Sequence, residues 1–478
     1  MLLKKLLNEK MITMNNNFDP YIFFKQVKEI NPISTYKKTN SINILDKFEN
    51  KKGISLICGQ VQSGKTNQII DIIFTAFEKF DYDCVFFLCG TTNSLKEQSE
   101  KRIRETNNHK FIIKNVNEIT LISRKILVLL LKQKNSLEKI NSIIVDNPSK
   151  KILIIDDECD FATINNKNEN YSEINRLITK SYDFIDNGGL ILVTATPYAN
   201  ILNTRTKLNV DWIFTMQAPN SYTGINYFNN LENFYYTNDF YINEDFNNWE
   251  NELAESLCVW LWQTYLFFKE KNDEKSTFLI YTSDKLDEHE KYYNQVIDWL
   301  NSLHQYDIRQ WYKKNKFDEN KFNDFIKWIG NNKKEIKSNT CIFNSENDEN
   351  NDITKINNSK FSIVIGGVFL SRGITYENLL VELFTYCPEN NINCDTLLQR
   401  CRWFGYRKMF RDGSINIRSK YMRLVTKNPI VNAFNEIEKY NNLIFDNSGY
   451  ELNINNLKIE LNKLQNNLNV KATNDRKQ

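Results

Sequence analysis

The sequence predicts an α/β protein made of two tandem units, each a parallel sheet covered by helices. Short unbroken apolar runs recur: Ile54–Cys58, Cys84–Cys89, Ile152–Ile155 and Leu190–Val193 in the first half, then Thr277–Tyr281, Ser362–Ile365 and Leu379–Phe384 in the second. Continuous rather than alternating apolarity marks strands buried on both faces. Stretches with helical periodicity separate these runs, the alternation that builds a parallel sheet with helices on both sides. Finally, Gly59-Gln60-Val61-Gln62-Ser63-Gly64-Lys65-Thr66 fits G-x-x-x-x-G-K-[ST] at every fixed position, between one such strand and one such helix. A length of 478 residues allows two or three domains, taking about 150 residues for each.

Composition narrows the class. Hydrophobic residues make up 41% and charged residues 25%, enough apolar content for a real core in a soluble globular protein. The net charge of +3 announces no nucleic-acid partner, so any basic surface is local. Nine cysteines include no C-x-x-C pair, which argues against zinc, and their odd count suggests a reducing cytoplasm. The segment Met1–Met14 has Lys4 and Lys5 but no long apolar region. No apolar run approaches the roughly 18 residues of a membrane span, so no membrane partner is expected.

Taken in order, residues 1–45 read as a helical lead-in and 46–215 as the first α/β domain. The helix after Thr66 carries Ile69, Ile70, Ile73, Phe74, Phe77 and Phe80 on one side. Residues 216–275 read as an insertion or interdomain connection: 216–250 is rich in Asn, Tyr and Phe, and Leu253–Phe268 is helical. Residues 276–425 form the second α/β domain, with helices over 305–340 and a polar loop over Ser345–Lys360. Residues 426–478 read as a helical tail whose Leu457, Leu461, Leu464 and Leu468 recur at heptad-like spacing, for packing on their own domain or, second to that, for a partner helix.

The chemistry sits where strands end. The loop Gly59–Thr66 turns backbone N–H groups and a helix N-terminus toward a polyphosphate. Lys65 reaches the β and γ phosphates and the Thr66 hydroxyl holds Mg²⁺. The run Ile152–Ile155 ends in Asp156-Asp157-Glu158-Cys159-Asp160, at the edge where a parallel sheet presents its ligands. Asp157 is assigned to the metal, with Asp156 as the alternative, and Glu158 to the base that orients and deprotonates water. Leu190–Val193 ends in Thr194-Ala195-Thr196, whose hydroxyls are placed to bond Asp160 and report nucleotide state. In the second half, Gly366–Thr375 follows a strand and carries Arg372. Asp395–Arg407 reads as a helix ending near Gly405 and brings Arg400, Arg402 and Arg407 within eight residues. Planar, permanently charged guanidinium suits a γ-phosphate whose charge shifts as it leaves.

These stretches, in this order, resemble the motor core of superfamily-two helicases. The resemblance implies two RecA-like domains closing on one ATP, with the phosphate loop as motif I, Asp157-Glu158-Cys159-Asp160 as D-E-x-D, Thr194-Ala195-Thr196 as motif III, Leu370–Gly373 as motif V and Gln399–Arg407 as motif VI. The wording is closer still to the Z1 domain family, often labelled endonucleases. It rests on Gly90–Leu95, Asp156–Asp160, Thr194–Ile201, Gly366–Thr375 and above all Asp395–Gln399 running into Arg402–Arg407. The resemblance implies ATP and Mg²⁺ as cofactors, and Asp160, Thr194, Thr196, Arg372 and Gln399 as coupling residues. It further implies Arg402 and Arg407 as residues reaching across the cleft, and a nucleic-acid partner, DNA ahead of RNA. Its setting is prokaryotic defence against phage or DNA processing, with a protein effector from the same system as a further partner. Cys401 stands where the family pattern has Gly, and no nuclease site is legible. A nucleotide-driven switch that controls a partner without unwinding is the competing function.

Overall fold

A computed structural model of the chain describes residues 32–90, 93–107, 110–119, 122, 125–160, 163, 172–202, 208–219, 222–237, 249–270, 274–302, 305–344, 352–371, 374–387, 392–406, 417–446 and 451–473. The first half builds one sheet from β1 (Gly53–Cys58), β2 (Cys84–Leu88), β3 (Ile112–Lys114), β4 (Ile126–Leu130), β5 (Lys151–Asp157), β6 (Asn187–Thr194) and β7 (Trp212–Thr215). Their order is β7-β1-β6-β5-β2-β4-β3 and every pair among them is parallel. Every residue of β1, β2 and β4 is buried, as unbroken apolar text requires.

Side-chain alternation divides each strand between two cores. Ile57, Val85 and Phe87 face the helix Lys65–Lys79, meeting its Ile69, Ile72, Ile73 and Phe77, and they also meet Ile44, Leu45 and Phe48 of the helix Pro32–Asn50. Ile70, Phe74 and Phe80 are half-buried against the same cluster. Leu56, Cys58 and Phe86 face the other way, into an apolar core that continues through the second sheet. Each fully buried side chain of this size contributes roughly 1.5–3 kcal/mol relative to exposure, so the helical periodicity after Thr66 is also what fixes that helix to the sheet.

Between the sheets lie β8 (Tyr222–Thr223), a short helix Ile225–Asn229 and β9 (Tyr235–Thr237). The second sheet then takes β10 (Ser276–Tyr281), β11 (Thr340–Ile342), β12 (Phe361–Gly366), β13 (Leu379–Phe384) and β15 (Arg423–Thr426), in the order β11-β12-β10-β13-β15-β9, all parallel. The stretch with few aliphatics thus supplies an edge strand of the second sheet, because Tyr235 and Tyr236 pack their rings against its core. The helix Trp249–Glu270 backs the sheet. Its fully buried Trp260 stacks on Phe278 at 5.7 Å and donates to Ser276 Oγ at 2.9 Å. The α/β reading with two tandem units and parallel sheets describes this architecture.

Details differ from the sequence reading. The helix expected over Asp395–Gly405 spans only Cys394–Arg400. Cys401 turns extended, Trp403 and Phe404 drop into the core, and Gly405–Tyr406 becomes β14, antiparallel to β8. The expected loop after Ser345 contains a helix, Ile353–Asn358, capped by Asp352 accepting from the Thr354 and Lys355 N–H groups; residues 345–351 lie outside the described residues. In the tail, the helix Ile454–Asn467 buries Leu457 and Leu461 and half-buries Leu464, with Leu468 just beyond it, so these leucines pack on the chain itself. Just before that helix, β16 (Glu451–Leu452) adds an antiparallel edge to β7. Among the described residues, no helix is long and apolar enough to cross a membrane.

Candidate functional site

The phosphate-binding pattern folds as a tight loop between β1 and the helix Lys65–Lys79. Gly59 N–H bonds the Thr194 carbonyl at 3.0 Å, tying the loop to β6. A Cβ on Gly59 would stand 2.7 Å from Lys65 Cγ and 2.9 Å from Met216 Sδ, so only glycine leaves room for the lysine stem. Ser63 N–H closes on the Gln60 carbonyl at 3.1 Å. Gln62 and Gly64 are left-handed, with φ of 56° and 93°, and Gly64 caps the helix. No acidic side chain occupies that helix's first turn, so its N-terminal N–H groups face no competing carboxylate of their own helix. The loop also carries buried polar atoms with no hydrogen-bond partner among the described residues, Ser63 Oγ and Gln62 Nε2. Buried polar groups are normally satisfied, and a polyphosphate would satisfy these. Lys65 Nζ is bonded to the Gln60 carbonyl at 3.2 Å.

The carboxylates at the end of β5 separate by role. Asp156 is fully buried. The Lys132 ammonium sits 2.7 Å from its Oδ1, and Thr163 Oγ1 donates to its Oδ2 at 2.7 Å. Asp156, the alternative metal residue in the sequence reading, is therefore committed to an internal ion pair. Asp157 follows, its Oδ1 accepting the Glu158 N–H at 3.0 Å. Burial, and then the charge of Glu158, push the Asp157 carboxyl up to about 7. A carboxylate so raised favours a nearby cation, and Thr66 stands half-buried on the adjoining helix. That donor set fits Mg²⁺ held by one carboxylate, one hydroxyl and phosphate oxygens. Glu158 is left-handed at φ 52°. Burial lowers the Lys65 ammonium, against the opposing charges of Asp157, Glu158 and Asp160; Arg402 lowers it further. These five groups share one electrostatic neighbourhood.

The second unit reaches into the same place. Asp160 accepts from Thr194 Oγ1 at 2.7 Å through Oδ1, and from the Gln399 side-chain amide through Oδ2. That amide also donates to Thr196 Oγ1 at 3.3 Å, while Thr196 N–H donates to Thr194 Oγ1 at 2.9 Å. The expected contact of Thr194 with Asp160 is direct; Thr196 joins through Gln399. Arg402 is buried, donating to the carbonyls of Gln399 and, at 3.4 Å, of Ile374; its Nε has no hydrogen-bond partner among the described residues. Burial lowers its ionisation, opposed first by Glu382 on β13 and also by Glu158. Arg400 turns aside and stacks on Tyr386, its Cζ 3.7 Å from the ring centroid. Arg372 and Arg407, predicted from the same motifs, lie outside the described residues, as do Thr91 and Thr92.

Sequence reasoning missed two participants. Lys132 is a lysine directly after the apolar run of β4, a charge at a strand's carboxyl edge that could have flagged it. Tyr222 donates its hydroxyl to the Val61 carbonyl at 2.8 Å and pairs with Tyr406 across β8 and β14. This ribbon connects the phosphate loop to the segment just after Arg402, and Thr223 Oγ1 reinforces it by donating to the Gly405 carbonyl at 2.8 Å. Among the described residues, no group of three or more His, Cys, Asp or Glu side chains could hold a metal ion.

Comparison with known proteins matches two regions of the chain. Residues 252–447 match the family model of the Z1 domain. Residues 31–199 match that of the Type III restriction enzyme, res subunit. No curated protein matches the sequence. Similar solved structures include S. cerevisiae Dbp5 bound to RNA and ADP BeF3, at 13% identity, TM-score 0.43, covering 84% of this chain and 92% of that one. The DUF1998 helicase MrfA bound to DNA and AMPPNP has 13% identity and TM-score 0.45, over 89% of this chain and 53% of that one. The Mycobacterium smegmatis helicase Lhr bound to ssDNA and AMP-PNP has 10% identity and TM-score 0.47, over 86% of this chain and 50% of that one.

Proposed function

We propose that this chain, a Z1 domain joined to a region matching the res subunit of Type III restriction enzymes, hydrolyses ATP between its two sheets and uses the cycle to translocate on or remodel nucleic acid. The observation that carries the reading is the meeting of Gln399 with Asp160 and Thr196: a side chain of the arginine-bearing segment bonds both the carboxylate run and the hydroxyl run of the phosphate-loop unit. An ATP seated on Gly59–Thr66 would lie inside that contact.

The roles follow from position. Backbone N–H groups of the loop and the Lys65 ammonium hold the phosphates. Mg²⁺ held by Thr66 and Asp157 would supply charge neutralisation at the β and γ oxygens. Glu158 orients water and accepts its proton. Arg402, with Arg407 as the further candidate, meets the charge that develops on the γ-phosphoryl group. Arg402 must exchange its carbonyl partners for phosphate oxygens, so nucleotide binding and arginine placement are linked. Asp160, Thr194, Thr196 and Gln399 report the state of the site from one unit to the other, with Arg372 assigned to the same task. The substrate polymer is nucleic acid, DNA ahead of RNA, in a prokaryotic defence or DNA-processing setting and in the cytoplasm. No endonuclease step is assigned.

One observation favours a second reading, a nucleotide-driven switch acting on a protein effector. The tail ties both units together: β16 extends the first sheet, and Lys471 and Thr473 bond Cys394 and Asp395 at the start of the helix that carries Gln399. Such a strap limits opening. Steady-state ATP hydrolysis with no polymer, then with single-stranded DNA, double-stranded DNA and RNA, decides between them, with Lys65→Ala as control. Stimulation by one polymer supports the motor and names its class. A Lys65-dependent rate indifferent to all three moves the assignment to the switch.

A further inference from the structure

We infer that Lys132 is a positioning residue for Glu158, and that it sets the hydrolytic group from the far side of the sheet edge; the inference rests on the ATPase reading above. The Lys132 side chain is fully buried, and its single ammonium spans two partners. It sits 2.7 Å from Asp156 Oδ1 and donates to the Glu158 carbonyl at 2.9 Å. Asp156 is equally buried and is held in turn by Thr163. A buried ion pair gains little over an apolar pair of the same volume. Stability alone therefore gives weak reason to place a lysine here. The bond to Glu158 supplies a reason.

Glu158 is a non-glycine residue at φ 52°, a conformation L side chains rarely adopt and one that needs outside support. Its neighbours fix the turn on both sides. Its own N–H is taken by Asp157 Oδ1 and the next N–H, that of Cys159, by the Val193 carbonyl at 3.0 Å. Its carbonyl is taken by Lys132. With the backbone so held, the carboxylate stands in the electrostatic neighbourhood of Lys65 and Arg402, where the γ-phosphate would be attacked. Lys132 also closes its own N–H on the Gly90 carbonyl at 2.8 Å. The residue that fixes Glu158 is thereby joined to Gly90, just beyond the end of β2.

The test uses the full-length protein. Lys132→Met combined with Asp156→Asn exchanges the buried ion pair for a neutral pair, keeps an acceptor for the Thr163 hydroxyl, and removes the hold on Glu158. The expected result is ATP affinity within about threefold of wild type with kcat lowered at least tenfold, since a misplaced general base forfeits much of its about 10²–10⁴-fold contribution. A pair that merely stabilises the fold predicts unchanged kcat in this variant, and that outcome overturns the inference. Should the double variant not fold, Lys132→Arg decides. It keeps the charge facing Asp156, but its larger planar head cannot occupy the buried ammonium position 2.7 Å from Asp156 and 2.9 Å from the Glu158 carbonyl without shifting that carbonyl, so kcat falls while affinity holds; wild-type kcat overturns the inference. Thr163→Val, which loosens Asp156 without touching Glu158, should lower the melting temperature and leave kcat unchanged; a parallel fall in kcat would show that pair stability, not the hold on Glu158, sets the rate. A wild-type chain that neither binds nor hydrolyses ATP removes the ATPase reading and this inference together, whereas wild-type turnover surviving in the Lys132 variants removes this inference alone.

Discussion

Gln399→Ala tests whether the contact between the two units is part of the catalytic cycle. The side-chain amide donates to the Asp160 carboxylate and, at 3.3 Å, to Thr196 Oγ1. Asp160 keeps its bond from Thr194, so the carboxylate is not left wholly bare. The loss is then close to one charge-assisted hydrogen bond, roughly 1.5–3 kcal/mol. If that bond exists only when the units are closed, closure weakens by about 10–150-fold. Steady-state hydrolysis should show kcat/KM for ATP falling by that order. The affinity for a non-hydrolysable ATP analogue, read by titration, should hold. Gln399→Glu sharpens the test, since it sets a second carboxylate against Asp160; its activity should fall below that of Gln399→Ala and recover partly as pH is lowered and one carboxylate of the pair takes up a proton. Wild-type kcat/KM in Gln399→Ala would show that the bond contributes nothing to turnover, and the coupling role would fall with it.

Glu158→Gln should lower hydrolysis by at least about 10²-fold while ATP still binds, because it keeps the shape and removes the base; single-turnover assays read this directly. Asp157 gives a pH signature. The folded chain holds its proton up to about 7, the unfolded chain releases it near 3.8. Its contribution to stability is thus full below the unfolded value and lost as pH rises through about 7, on the order of 4 kcal/mol at most. Asp157→Asn should therefore raise the melting temperature of the nucleotide-free protein most at pH 8, by roughly a third as much at pH 5 and hardly at all at about pH 3, and abolish stabilisation by Mg²⁺ with ATP. Tyr222→Phe removes the bond to the Val61 carbonyl, worth about 0.5–1.5 kcal/mol; the KM for ATP should rise a few-fold with kcat little changed.

What could be read in advance was local. β1, β2, β5, β6, β10, β12 and β13 were legible because strands buried on both faces write continuous apolar text. β9 and β15 escaped notice because they are short and rich in Tyr, Thr or Arg. The helix through Arg402 was overextended because Trp403 and Phe404 fit helical periodicity, whereas the core takes them as an irregular turn. Arg402 was recognised as a motif residue, but its burial beside Glu382 has no local sign.

The phosphate loop, the acidic strand end and the alternation of sheet and helix were legible from the residues alone, because each is enforced by dihedral preferences and burial within a dozen residues. The tertiary structure alone decided which carboxylate is occupied and which residue meets which. Asp156 stood as the alternative to Asp157 for the metal until the backbone delivered Lys132 to it, and Gln399 meets Asp160 across 239 residues of chain. Such pairings arise from two sheets packing on one continuous core, and no short window of sequence contains both partners.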